Sequence, residues 1–132
     1  MENIKVVIDT NAVLRFLLND NEEQSKYVSR LLIEANCIVP VEVITEAVFV
    51  LSKVYYYGRK SICEEIKDFA EIKETMLLEK DVVCYACDVY ANSNLDFVDC
   101  LIDGYTEIKG YNAFTFDKKL RKILGGKFYE ND

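Results

Sequence analysis

The sequence predicts an α/β fold in which a parallel sheet with right-handed crossovers is covered by helices on both faces. Two observations carry the expectation. Short runs of β-branched and apolar residues alternate with longer runs whose apolar residues recur at helical spacing. The first short run, residues 4–8, ends abruptly in Asp9, Thr10 and Asn11, and the pattern turns helical at Ala12. An acid at the C-terminal end of a first strand stands where open α/β sheets place their chemistry.

Ile4, Val6, Val7 and Ile8 put four β-branched residues into five positions, which reads as a strand buried on both faces. Val13, Leu14, Phe16, Leu17 and Leu18 then give a dense apolar helical face with Asn11 as its N-cap, and Asn19-Asp20-Asn21 is turn chemistry. A second helix spans residues 22–35, and residues 37–39 form a short strand ended by Pro40. The next helix covers residues 41–57 with Gly58 as its stop, and another covers 60–73. After a linking segment through Leu78, Val82-Val83-Cys84 reads as strand three and residues 85–92 as a short helix. Asp96 opens a helix that runs to about Ile108 and is closed by Gly110. Residues 111–116 are strand four, and Asp117 leads into a basic helix ending at Leu124. Past the Gly125-Gly126 turn, residues 127–129 add an edge strand.

A chain of 132 residues, 51% of them hydrophobic, is expected to be a single domain over residues 1–132 with a proper core. One proline and five glycines leave no composition-biased linker, and there is no internal repeat. The N-terminus lacks the regions of a signal peptide and no apolar run reaches membrane-spanning length. The expectation is a cytoplasmic protein with no membrane partner. Cys37, Cys63, Cys84, Cys87 and Cys100 are an odd number set mostly in apolar segments, which suits reduced, packed thiols. Histidine is absent, so Ser-His and Cys-His catalysis and His-containing zinc sites are excluded. The formal charge of −7 argues against broad electrostatic attraction to nucleic acid or anionic membrane. Even so, Lys118, Lys119, Arg121, Lys122 and Lys127 gather five of the sixteen basic residues in the last fifteen positions.

Four acids occupy comparable places. Asp9 ends strand one, Glu46 sits one turn into the helix after strand two, Asp99 is in the first turn of the helix opened by Asp96, and Asp117 follows strand four. In a parallel sheet these places lie along one rim. Two unit charges about 4 Å apart repel by roughly 4 kcal/mol at an effective dielectric near 20, so acids gathered there call for a cation. Hard oxygen ligands without Cys or His favour Mg²⁺ or Mn²⁺, ions that activate water and stabilise charge developing on a phosphate. Each acid also has a structural role open to it. Asp9 and Asp117 can cap helices, and Asp96 with Asp99 resembles a capping box worth about 1 kcal/mol. Glu46 interrupts an otherwise apolar helix, where an unpaired carboxylate is expensive. Glu42 and Asp103 share helix faces with Glu46 and Asp99, and solvent exposure is the expectation for both.

With these residues in place, the sequence resembles PIN domains, especially the VapC-type toxins of prokaryotic toxin–antitoxin pairs. Asp9-Thr10-Asn11 followed by Leu14-Arg15-Phe16-Leu17 resembles the family's opening. Val39-Pro40 leading to Glu46 and Val50-Leu51, then Leu95-Asp96-Phe97-Val98-Asp99, then Thr115-Phe116-Asp117, follow in order. The resemblance spans nearly the whole chain. It implies a three-layer α/β/α sandwich around a mainly parallel sheet of four or five strands, and Mg²⁺- or Mn²⁺-dependent endoribonuclease activity. By position it makes Asp9, Glu46, Asp99 and Asp117 the metal-binding, catalytic acids and Asn11 and Thr115 polar supports. It further implies hydrolysis of an RNA phosphodiester, a homodimer, and an antitoxin that blocks the cleft.

Other features fit less directly. Arg15 is placed either to touch phosphate or to pair with the acids. Tyr55-Tyr56-Tyr57 reads as a packed or dimer-facing cluster before it reads as a base-stacking surface. Cys84-Tyr85-Ala86-Cys87 has the spacing of a thioredoxin-like redox pair, but its flanks do not resemble that family, and buried thiols are the default. A phosphotransferase with Asp9 as nucleophile, of the haloacid-dehalogenase kind, would want a second Asp where Asn11 stands. A non-catalytic PIN scaffold that binds RNA or a protein is the remaining alternative, and retention of all four acids weighs against it.

Overall fold

The computed structural model describes residues 4–130. Its sheet has three parallel strands in the order β1 (Lys5–Val7), β2 (Asn36–Val39) and β3 (Thr75–Leu77). Val6 lies opposite Cys37, and Ile38 opposite Met76. Helices α1 (Thr10–Leu18) and α2 (Glu22–Glu34) carry the chain from β1 to β2. Helices α3 (Val41–Lys53) and α4 (Arg59–Ala70) carry it from β2 to β3. Then come α5 (Lys80–Ala91), α6 (Phe97–Lys109) and α7 (Lys118–Leu124), with α5 packed between α4 and α6. The α/β class and the parallel sheet are as the sequence predicts, with three strands in place of four or five.

The central strand is the apolar one. Cys37 and Val39 on β2 are fully buried. β1 is not buried on both faces as expected: Ile4 and Val7 are 67% and 68% exposed, because β1 hydrogen-bonds only to β2 and forms a sheet edge. Ile8, just beyond it, is buried, and its N–H donates to Ile38 O at 3.1 Å, which fixes where Asp9 begins.

Among the described residues three expected strands are absent, and the edge strand at 127–129 is one of them: Lys127 ends a 3-10 turn over Gly125–Lys127 and only Phe128 makes a bridge. Val82-Val83-Cys84 lies inside α5, where Val82, Val83, Ala86, Cys87 and Tyr90 are buried at helical spacing. A short apolar run on a helix covered from two sides looks like a buried strand. The third strand is instead the Thr-Met-Leu stretch of β3, which the sequence reading leaves in a linker. Residues 111–116 form no strand but a single bridge, Ala113 to Phe128, with Ala113 N donating to Lys127 O at 2.9 Å. Phe114 and Phe116 face outward there instead of filling a core.

Helix ends also differ in instructive ways. α3 stops at Lys53 rather than Tyr57, Tyr56 has φ 58°, and Gly58 is the N-cap of α4 rather than the stop of α3. Of the tyrosine run, Tyr56 is exposed and Tyr57 packs against the core. Gly110 closes α6 as expected, at φ 74° and with its N–H on Thr106 O. Gly104 matters for another reason: a Cβ there would meet Val82 O at 3.0 Å, so only glycine lets α6 approach α5 this closely. Among the described residues no helix is long and apolar enough to cross a membrane.

Candidate functional site

The start of α1 shows how local sequence places the first acid. Asp9, not Asn11, is the N-cap: its Oδ1 accepts from Ala12 N at 2.9 Å, and Asn11 is an exposed residue of the first helical turn. A carboxylate caps better than the Asn two positions on because the chain leaves extended geometry at Asp9 itself, where φ is −93° and ψ 177°. Arg15 pairs with Asp20 at 3.3 Å in the turn after α1.

Glu46 is exposed, which overturns the expectation of a carboxylate caught in an apolar helix. α3 buries Ile44, Ala47, Val48 and Leu51 and keeps Glu42 and Glu46 on its solvent side. Those two acids, with Thr45, Phe49 and Tyr105, line an open groove of about 710 Å³. Thr45 and Phe49 also border a second cleft of about 640 Å³, between α3 and the start of α6, which reaches Lys53, Arg59, Asp96 and Asp99.

Asp99 is half-buried in the first turn of α6. Burial pushes its carboxyl above the usual range, and the negative charges of Asp117 and then Asp96 push it further. These three acids therefore share one electrostatic neighbourhood. Asp96 holds the cap position of α6 without a side-chain cap bond, so the anticipated Asp96/Asp99 capping box does not form. Asp117 is the N-cap of α7, its Oδ1 accepting from Leu120 N at 2.8 Å. Thr115 Oγ1 accepts from the Asp117 N–H at 3.0 Å, and Lys119 Nζ donates to Asn94 Oδ1 at 3.0 Å. That last bond ties α7 to the loop that leads into α6.

Asp103, expected in solvent, is buried at 4% exposure. Burial, followed by Glu107, raises its carboxyl, and Lys127 opposes them. One residue that the sequence reading missed organises the cleft wall. Arg59 Nη1 donates to Tyr90 O at 3.1 Å and to Leu95 O at 2.8 Å, and its guanidinium lies 4.2 Å from the centre of the Tyr90 ring. It thus clamps the segment just before Asp96. Nothing in the sequence distinguishes Arg59 from the other cations, because both acceptors are backbone carbonyls that any residue would supply.

Asp99 is thus brought beside Asp117 and Asp96, and Glu46 is placed in the adjoining groove. Asp9 and Glu46 are not drawn into a tight group with them: among the described residues no three Asp, Glu, Cys or His side chains stand ready to hold a metal ion. The Cys84/Cys87 pair sits within α5 with both thiols free, and burial raises both. A redox pair needs the opposite shift.

The family model of the PIN domain matches residues 6–125. No curated protein and no solved structure gives a significant match. PIN domains are generally metal-dependent nucleases, and the acids at the ends of β1 and at the starts of α6 and α7 all lie inside the matched region. A match running from the first strand to the end of the last helix makes the assignment plain: this chain belongs to the PIN domain family.

Proposed function

We propose that the chain is a divalent-metal-dependent endoribonuclease, the toxin of a type II toxin–antitoxin pair. The observation that carries the reading is Asp99, half-buried, lining the α3–α6 cleft with Asp96, and raised by burial and the charges of Asp117 and Asp96, with Glu46 in the adjoining groove. Neighbouring carboxylates repel one another and are relieved by a cation; their hard oxygens suit Mg²⁺ or Mn²⁺. Asp99 and Asp117 would hold that ion with Asp9 and Glu46 joining them, and it would supply water activation and neutralise charge on the phosphate.

The rest is done by the chain. The capping bonds of Asp9 and Asp117 orient one oxygen of each carboxylate and leave the other open. Thr115 steadies the Asp117 backbone, and Asn11, in the first turn of α1, would be the polar support beside Asp9. Arg59, fixed to Leu95 O, keeps the α6 start against the cleft wall. Glu42 stays in the groove as an outer acid. A homodimer and a cognate antitoxin that covers the cleft complete the proposal.

The test is incubation of single-stranded RNA with the purified chain in Mn²⁺ or EDTA. Cleavage is expected only with Mn²⁺ and is expected to fall in Asp99→Asn by more than the roughly ten- to hundredfold lost when only an outer-shell partner of a metal ligand is altered. A folded Asp99→Asn protein that cleaves at the wild-type rate refutes the site. One observation favours the non-catalytic alternative: among the described residues the acids do not converge as a ready cage. On that reading RNA is bound but never cut in Mn²⁺.

A further inference from the structure

The strongest unassigned feature lies beside Asp117 and, among the described residues, shares no lining residue with the α3–α6 cleft. Where a fourth strand was expected, the chain turns Phe114 and Phe116 outward, at 56% and 92% exposure. Phe114 packs edge-on against Phe116, with centroids 5.1 Å apart, and stacks on Phe128 at 5.5 Å. The Arg121 guanidinium covers the Phe128 ring at 4.3 Å, and Tyr129 is more than half exposed at the edge. These aromatics and α7 enclose a shallow hollow of about 470 Å³ that also takes in Lys118. A fully exposed Phe ring costs solvation free energy and contributes nothing to the core.

Charge says what would cover it. α7 reads Lys-Lys-Leu-Arg-Lys-Ile-Leu, so the aromatic face is bordered by cations in a chain whose net charge is −7. Arg121 is engaged by Glu130 at 3.3 Å, the one carboxylate among the described residues that line the hollow, and Lys119 by Asn94. Among the described residues no ion pair engages Lys118 or Lys122. Exposed rings interleaved with unpaired cations are the combination that grips single strands, the rings by stacking on bases and the cations by pairing with phosphates. A duplex offers its phosphates but not its base faces.

We propose that this face is a binding platform for unpaired bases of a single-stranded RNA, with Phe116 as the outer stacking ring and Lys118 and Lys122 on the flanking phosphates. Phe116 directly precedes Asp117, so the platform adjoins one of the candidate acids in the chain. The substrate class rests on the nuclease reading of that site; the platform itself is tested without catalysis.

The experiment measures binding of a fluorescent single-stranded RNA to the full chain in EDTA, by anisotropy, alongside the same sequence as a duplex. Phe116→Ala should weaken single-strand binding by about tenfold, as expected for loss of one base–aromatic stack. Because the ring is almost wholly exposed, the fold should be unaffected, which an unchanged Tm checks. Lys118→Gln and Lys122→Gln should each lower the slope of log affinity against log salt by about 0.7. Duplex RNA should bind more weakly than single strand and be indifferent to Phe116→Ala. Unchanged single-strand affinity in Phe116→Ala overturns the platform, as does equal binding of duplex. A Phe116-dependent self-association with no RNA binding also overturns it, by showing a protein-docking face. Cleavage in Mn²⁺, measured separately, keeps the two proposals apart: cleavage without Phe116-dependent binding sinks only the platform, and binding without cleavage sinks only the nuclease.

Discussion

Three helices of this protein begin beside candidate catalytic acids, and they begin in two different ways. α1 and α7 are closed by their own carboxylates, Asp9 and Asp117, each bonded to a backbone N–H of the first turn. α6 has no such closure: Asp96 makes no side-chain cap bond, and Asp99 lies half-buried under two like charges. A capping bond satisfies one orphan donor of the helix and orients the acid at the same time. The start of α6 is positioned from outside instead, by Arg59 gripping Leu95 O. Two acids are therefore pre-oriented and one is under electrostatic stress, a division suited to a site that tightens around a cation.

The largest test of that comparison separates charge from capping. Asn caps a helix about as well as Asp, so Asp9→Asn and Asp117→Asn should leave stability nearly unchanged. Both should nonetheless lose RNA cleavage by a hundredfold or more, because a neutral amide is a poor ligand for a divalent ion. Asp9→Ala and Asp117→Ala should lose activity and, in addition, about 1 kcal/mol of stability by urea denaturation. Asn variants that cleave like the wild type would reduce both acids to helix caps.

A second, smaller effect concerns α6 alone. A cation that binds the folded state raises its stability by about 2.7 kcal/mol at a hundred times its dissociation constant. Titrating Mn²⁺ should therefore raise the Tm of the wild type and leave that of Asp99→Asn nearly flat. Equal shifts in the two proteins would place the ion elsewhere.

How much of this was legible beforehand depends on length and on local chemistry. The helices were readable because α2, α3 and α6 each offer thirteen residues of periodic pattern, and Gly110 marks the end of α6. The strands were legible only in part: residues 4–8 and 37–39 read as strands and hold β1 and β2, but β3, three residues long with only Leu77 buried, does not stand out. Over so short a span, a true strand such as Thr75–Leu77 is quieter than a false one such as Val82-Val83-Cys84, whose burial comes from the neighbouring helices. The acids stood out because strand ends and helix starts are visible in sequence. The reason given for Glu46 was wrong, since exposure and not burial is its state, and only its place on α3 carried through. Arg59 was invisible because its partners are main-chain oxygens.

The smallest effect compares two acids one turn apart on α6. Asp99 and Asp103 both have raised carboxyls with burial as the leading cause, but only Asp99 faces the cleft and the other acids of the site. A carboxyl raised in the folded state is favourable below its unfolded pKa, and that contribution is lost as pH rises through the folded value. At neutral pH the ionised Asp103 is thus a cost, sharpened by Glu107 and only partly offset by Lys127. Asp103→Asn should raise Tm slightly at about pH 7, give no gain once pH falls below the ordinary Asp range, and leave RNA cleavage intact. Asp99→Asn should show the same sign in its stability profile while abolishing cleavage. If Asp103→Asn also lost cleavage, the stress along α6 would belong to one extended site and the start of the helix would no longer stand apart from its middle.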